Sequence, residues 1–106
     1  MTGFLDENGA DLNKMKIGDA IEIETRNTIY CLEYRADGFY LSGSPKYCPE
    51  PTRVENVCSS RGGNTFVPRF IGKGMFVEFV LPSRGRKMTS RIVEIKEIKL
   101  PKKRNK

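Results

Sequence analysis

The sequence predicts an all-β chain, a small and mostly antiparallel barrel of about six to seven short strands, with a β-sandwich as the alternative. Three observations carry that expectation. Seven short runs in which apolar and polar residues alternate fill almost the whole chain from Ile17 to Leu100, and a period of two marks a half-buried strand. Clusters of Gly, Pro, Asn and Asp separate the runs, which is the punctuation of hairpins. The connections are short, so neighbouring strands run antiparallel. A chain of 106 residues protects its strand edges best by closing on itself.

The elements follow in order. Residues 1–13 read as a loosely ordered lead-in, rich in turn formers, and residues 14–100 as a single barrel domain. The run 20–25 alternates strictly, with Ile21 and Ile23 inward, and Arg26-Asn27 makes a tight turn into the run 28–35. Asp37-Gly38 is a hairpin signal leading into the run 39–42. Three prolines between Gly43 and Pro51 remove ladder donors and fix φ, so that segment is a constrained loop. Strand character resumes over 53–59, and Arg61-Gly62-Gly63-Asn64 turns the chain into 65–71, where Pro68 suggests an edge or a bulge. Gly72-Lys73-Gly74 leads into 75–81, residues 82–87 form a loop, and 90–100 is the last strand. Residues 101–106 are expected to form a disordered basic tail.

Three stretches carry a family resemblance. Residues 17–30 (Ile17-Gly18-Asp19-Ala20-Ile21-Glu22 onward to Tyr30), residues 70–79 (Phe70-Ile71-Gly72-Lys73-Gly74 to Phe79) and Thr89-Ser90-Arg91-Ile92 resemble short, uncharacterised bacterial proteins of the SH3-like small-barrel type. The resemblance covers about residues 12–98. It implies a fold and a bacterial origin, and it carries no activity to any residue.

Composition narrows the function classes. No stretch approaches the roughly 20 apolar residues of a membrane span, and the acidic start Met1 to Glu7 does not read as a secretory signal, so the expectation is a cytoplasmic protein without a membrane partner. Cys31, Cys48 and Cys58 form no C-x-x-C pair and the chain has no histidine, which argues against zinc and against any cofactor. Cys31 and Cys58 lie in strand runs and read as near-core, whereas Cys48, in the proline loop, is the expected exposed thiol. The carboxylates at Glu22, Glu24, Glu33, Glu55, Glu78, Glu94 and Glu97 alternate with apolar residues and read as outward-facing. With no histidine and no privileged acidic pair, general acid–base work has no evident agent, so the expectation is a non-catalytic binding module.

Charge points to the partner. Residues 1–55 hold ten acids and six bases, whereas residues 56–106 hold three acids and thirteen bases. Such asymmetry suits a polyanion, RNA or DNA, bound through its backbone. The residues expected to carry it are Arg61, Arg84, Arg86, Lys87 and Arg91, with Lys102, Lys103 and Arg104 of the tail. Glycine-rich Ser59 to Asn64 reads either as a plain hairpin turn or as an anion-binding nest. The alternative is a protein-interaction or assembly module. It would use Tyr34, Tyr40 and the proline-bounded Tyr47, or an exposed edge strand near Pro68.

Overall fold

Strict alternation in the first strands sets the architecture. In the computed structural model, which describes residues 3–45, 48–61 and 66–98, Ile21 and Ile23 of strand β3 (Ala20–Thr25) are completely buried. The chain turns at Arg26-Asn27, where the Thr25 hydroxyl accepts the Thr28 N–H at 3.1 Å and donates to the Thr28 carbonyl at 2.8 Å. Strand β4 (Ile29–Arg35) then returns along β3. Gly38, at φ +135°, opens β5 (Gly38–Ser42), and a Cβ there would press on the Arg53 guanidinium.

The remaining strands close the ring. Strand β6 (Thr52–Ser60) pairs with β5 through Thr52 to Val54 and with β9 (Phe76–Leu81) through Glu55 to Ser60. Strand β10 (Gly85–Ile98) pairs first with β9 and then with β3. The order β5-β4-β3-β10-β9-β6, with β6 returning to β5, is a closed antiparallel circuit of six strands. Strand β7 (Phe66–Pro68) adds to β6 as the terminal strand of this seven-stranded sheet. Pro68 therefore lies on an edge. The expected all-β, antiparallel, closed architecture is present, and no helix among the described residues is long and apolar enough to cross a membrane.

One core serves the whole circuit. Val77, Phe79 and Leu81 project inward from β9 and meet Ile21, Ile23, Leu32, Phe39, Leu41 and Ile92. Each such side chain contributes about 1.5–3 kcal/mol by leaving water.

Four expectations change. The lead-in is not loose: β1 (Leu5–Asp6) and β2 (Gly9–Asp11) pair with each other and with β8 (Phe70–Gly72) in a small second sheet. That pairing buries Phe4, Ala10 and Leu12 in the common core. Gly9 crosses so close to Ile71 that a Cβ would strike its carbonyl oxygen. The run 65–71 is two strands, broken where Arg69 takes a left-handed φ of +56°. The expected loop 82–87 is shorter, because the turn closes within Pro82 to Arg84 and Gly85 already begins β10. Finally, Cys48 is buried. It pairs with Ser44, its N–H donating to the Ser44 carbonyl at 2.9 Å, and this places the thiol in the core. Of the three thiols, Cys31 is the most accessible.

Candidate binding face

Because Val77, Phe79 and Leu81 point inward, Phe76, Glu78 and Val80 project from the outer surface of β9. Their cross-strand partners form rows. Glu78 stands opposite Cys58 on β6 and Met88 on β10, and Cys58 in turn opposes Pro68 on β7. In the next row Ser60 opposes both Phe66 and Phe76, and Phe76 opposes Arg91. Arg91 reaches this face through a bulge between Met88 and Arg91. There Thr89 turns inward, and its hydroxyl accepts the Val77 N–H at 3.1 Å in place of a ladder carbonyl.

Glu78 faces outward as its alternation predicts, yet it is buried there, only 7% exposed. The Ser60 hydroxyl donates to one of its carboxylate oxygens at 2.8 Å, and Arg86 donates to the other at 3.3 Å. A buried carboxylate needs such partners. Arg86 itself remains more than half exposed, so its guanidinium joins a buried anion to the open surface.

Beside this pair lies a cleft of about 350 Å³. Asn56, Val57 and Cys58 of β6 form one wall, Phe66, Pro68 and Arg69 the other, and Arg86 reaches in from β10. Phe66 is 45% exposed, with the Arg86 guanidinium 5.9 Å from its ring centre. Arg91 lies 4.9 Å over Phe76 and also donates to the Gly74 carbonyl. Arg69 is anchored, its Nε donating to the Asn13 side chain. Asn56 and Arg69 are the two non-glycine residues with left-handed backbone among those described, at φ +52° and +56°. Among the described residues, neither Asp nor Glu lines the cleft. The Cys58 thiol is pushed up from its ordinary value by burial and then by Glu78, with Arg86 opposing. It therefore stays a neutral thiol near pH 7, a poor nucleophile. The arrangement suits a ligand with a flat apolar part and negative charge.

The expected basic residues divide. Arg86 and Arg91 share the outer face, opposite Val80 and Phe76, about 13 Å apart along the strand. Lys87 stands opposite Phe79 on the other face of β10 and is half-buried. Arg84 is exposed in the hairpin turn, and Arg61 is exposed immediately after β6, beside the Ser60 row. Lys102, Lys103, Arg104 and Tyr47 lie outside the described residues, as do Gly62, Gly63 and Asn64 of the possible nest.

Tyr34 and Tyr40 lie on opposite faces of their hairpin. Tyr34 opposes Phe39 and stacks on it at 4.8 Å between centroids, against the core. Tyr40 opposes Glu33 on the other face of the same hairpin. Its hydroxyl donates to Asp37 at 2.8 Å, and Arg35 covers its ring at 4.2 Å. Alternation separates two residues that both flank the turn.

Sequence reasoning does not place Asn56, Cys58 or Glu78 at a site. Only Glu78 left a sequence signal, as the lone carboxylate in the longest apolar run, from Met75 to Leu81. Compared with family models, with curated proteins and with solved structures, the chain finds no match.

Proposed function

We propose that the outer face of β7, β6, β9 and β10 binds single-stranded nucleic acid without catalysis. The observation that carries the reading is Phe66, an exposed ring with the Arg86 guanidinium 5.9 Å from its centre, in a cleft that Arg69 also lines and that, among the described residues, has no carboxylate in its lining. Proteins that hold single strands combine aromatic platforms for bases with cations for phosphates. Arg91 beside Phe76 extends the same pairing along the face. Arg61 and the tail residues Lys102, Lys103 and Arg104 add phosphate contacts in this proposal. The reading includes the SH3-like bacterial resemblance of residues 17–30 and 70–79 and a cytoplasmic setting. The closed antiparallel circuit is compatible with both.

Fluorescence anisotropy with labelled single-stranded RNA, single-stranded DNA and duplex DNA tests it. Wild-type chain is expected to bind single strands with an affinity that falls steeply with salt. Phe66→Ala should weaken that binding roughly five- to hundred-fold, the worth of one stacked base. Salt-insensitive binding, or an unaffected Phe66→Ala variant, overturns the proposal.

A second reading has one observation in its favour. Strand β7 ends the sheet order, and a terminal strand is where an extended peptide from a protein partner adds. A partner held through that edge would persist at high salt.

A further inference from the structure

We infer that the cleft at the β6 bulge is a one-nucleotide subsite in which Asn56 reads the edge of an adenine stacked on Phe66. The inference rests on the single-strand reading above and assigns it a base preference. Both left-handed non-glycine residues among those described, Asn56 and Arg69, line this one cleft. Backbone held in that region is costly and concentrates at ligand sites. The register shift of β6 between Glu55 and Cys58 accounts for a left-handed residue at Asn56. Asparagine is among the few non-glycine residues that tolerate that backbone, and unlike glycine it also brings a carboxamide to the cleft.

The side chain has work available. Asn56 is exposed, and among the described residues its amide makes no hydrogen bond. A carboxamide carries one donor and one acceptor in a plane, the complement of the adenine N6/N7 edge. Guanine presents two acceptors on that edge, so an amide satisfies only half of it. The other members are already set. Glu78, itself bonded by Ser60, holds Arg86 beside the Phe66 ring, and Asn13 holds Arg69 in the same lining. One cation therefore stands at the ring and a second farther along the cleft, where the phosphates of a splayed nucleotide would pass. At about 350 Å³ the space is near the lower end for ligand sites, about 300–1,000 Å³, which suits one nucleotide.

The test compares a labelled oligo-U with the same oligo-U carrying a single central adenine. Wild-type chain should favour the adenine-containing strand by roughly fivefold or more. Asn56→Gly should erase that preference, bringing the two strands to equal affinity. Its melting temperature should be unchanged or higher, because glycine relieves the left-handed strain. That thermal readout separates loss of recognition from loss of fold. Equal binding of the two strands by wild type, or a preference that survives Asn56→Gly, overturns this inference and leaves the single-strand reading intact. If wild type binds neither strand, both fall.

Discussion

Two outer faces of the same barrel use similar residues to opposite ends. On the β4–β5 side, Arg35 pairs with Glu33 at 3.1 Å and covers Tyr40, whose hydroxyl is taken by Asp37. Arg53 pairs with Glu55 at 3.2 Å and bonds the Asp37 carbonyl. Arginines, acids and an aromatic ring satisfy one another at the surface. On the β7–β6–β9–β10 side, the carboxylate that answers Arg86 lies beneath it, and Phe66 and Met88 stand about half exposed above. Cations and rings face solvent there with Glu78 buried, and the exposed Glu55, opposite Val80, is taken up by Arg53 where β6 passes from β9 to β5. What separates Arg86 from Arg35 and Arg53 is the depth of the carboxylate each meets, not the kind of residue present. An anionic ligand would meet repulsion on the first face and none from the cleft lining on the second.

Charge substitution breaks the comparison most sharply. Arg86→Gln with Arg91→Gln removes two cations and keeps polar side chains at both positions. Affinity for a single strand should fall roughly ten- to hundred-fold, and the salt slope should become shallower by about 1.4, two phosphate contacts' worth. Arg35→Gln with Arg53→Gln should change neither. Titration of the two double variants at several salt concentrations decides the matter. Equal effects from both would mean that only net charge counts and that no face is privileged.

Stability separates the same two arginines by a smaller margin. Arg86→Ala leaves Glu78 buried with the Ser60 hydroxyl as its remaining hydrogen-bond donor among the described residues. It should cost about 2 kcal/mol, the scale of a hydrogen bond to a buried charged group. Arg35→Ala removes a pair whose arginine is 41% exposed and should cost less than about 1 kcal/mol. Urea midpoints on both variants measure the difference. Equal costs would mean that Glu78 regains water when Arg86 is gone.

The two faces also differ in how far they were legible. Hairpin β3–β4–β5 could be read directly, because Ile21 and Ile23 alternate and Asp37-Gly38 turns, all within short sequence distance. The second face depends on contacts between distant segments. Alternation places Glu78 outward correctly, yet its burial is decided by Ser60 on one neighbour and Arg86 on the other. Arg86 was expected in a loop because Pro82 and Gly85 punctuate that stretch, and only the pairing with Leu81 and Val80 shows a strand. Ala10 and Leu12 sit among turn formers, and their burial follows from pairing of the N-terminal segment with β8. Asn56 and Arg69 acquire left-handed backbone from a bulge and a strand break that residue pattern alone does not announce.

The thiols give the finest version of the contrast. Cys31 on the first face and Cys58 on the second are both pushed up, by burial first and then by carboxylates, Glu33 and Glu22 for one and Glu78 for the other. Each is partly offset by an arginine, Arg35 or Arg86. Burial also raises Cys48. Raised values mean that the folded chain holds these protons more tightly than the unfolded chain does. Their stabilisation is therefore complete below the ordinary thiol value of about 8.5 and declines as pH rises through that value toward the folded ones. Tyr40, raised chiefly by its bond to Asp37, extends the decline above about pH 10. Melting temperature followed from neutral to alkaline pH should fall across this window, and Cys→Ala variants should flatten the first part of the fall. Alkylation at neutral pH should be slow at all three thiols and fastest at Cys31, the least buried. A bound single strand should then slow Cys58, which lines the cleft, and leave Cys31 unchanged. Protection of both thiols would move the ligand off the cleft, and protection of neither would place it elsewhere on the barrel.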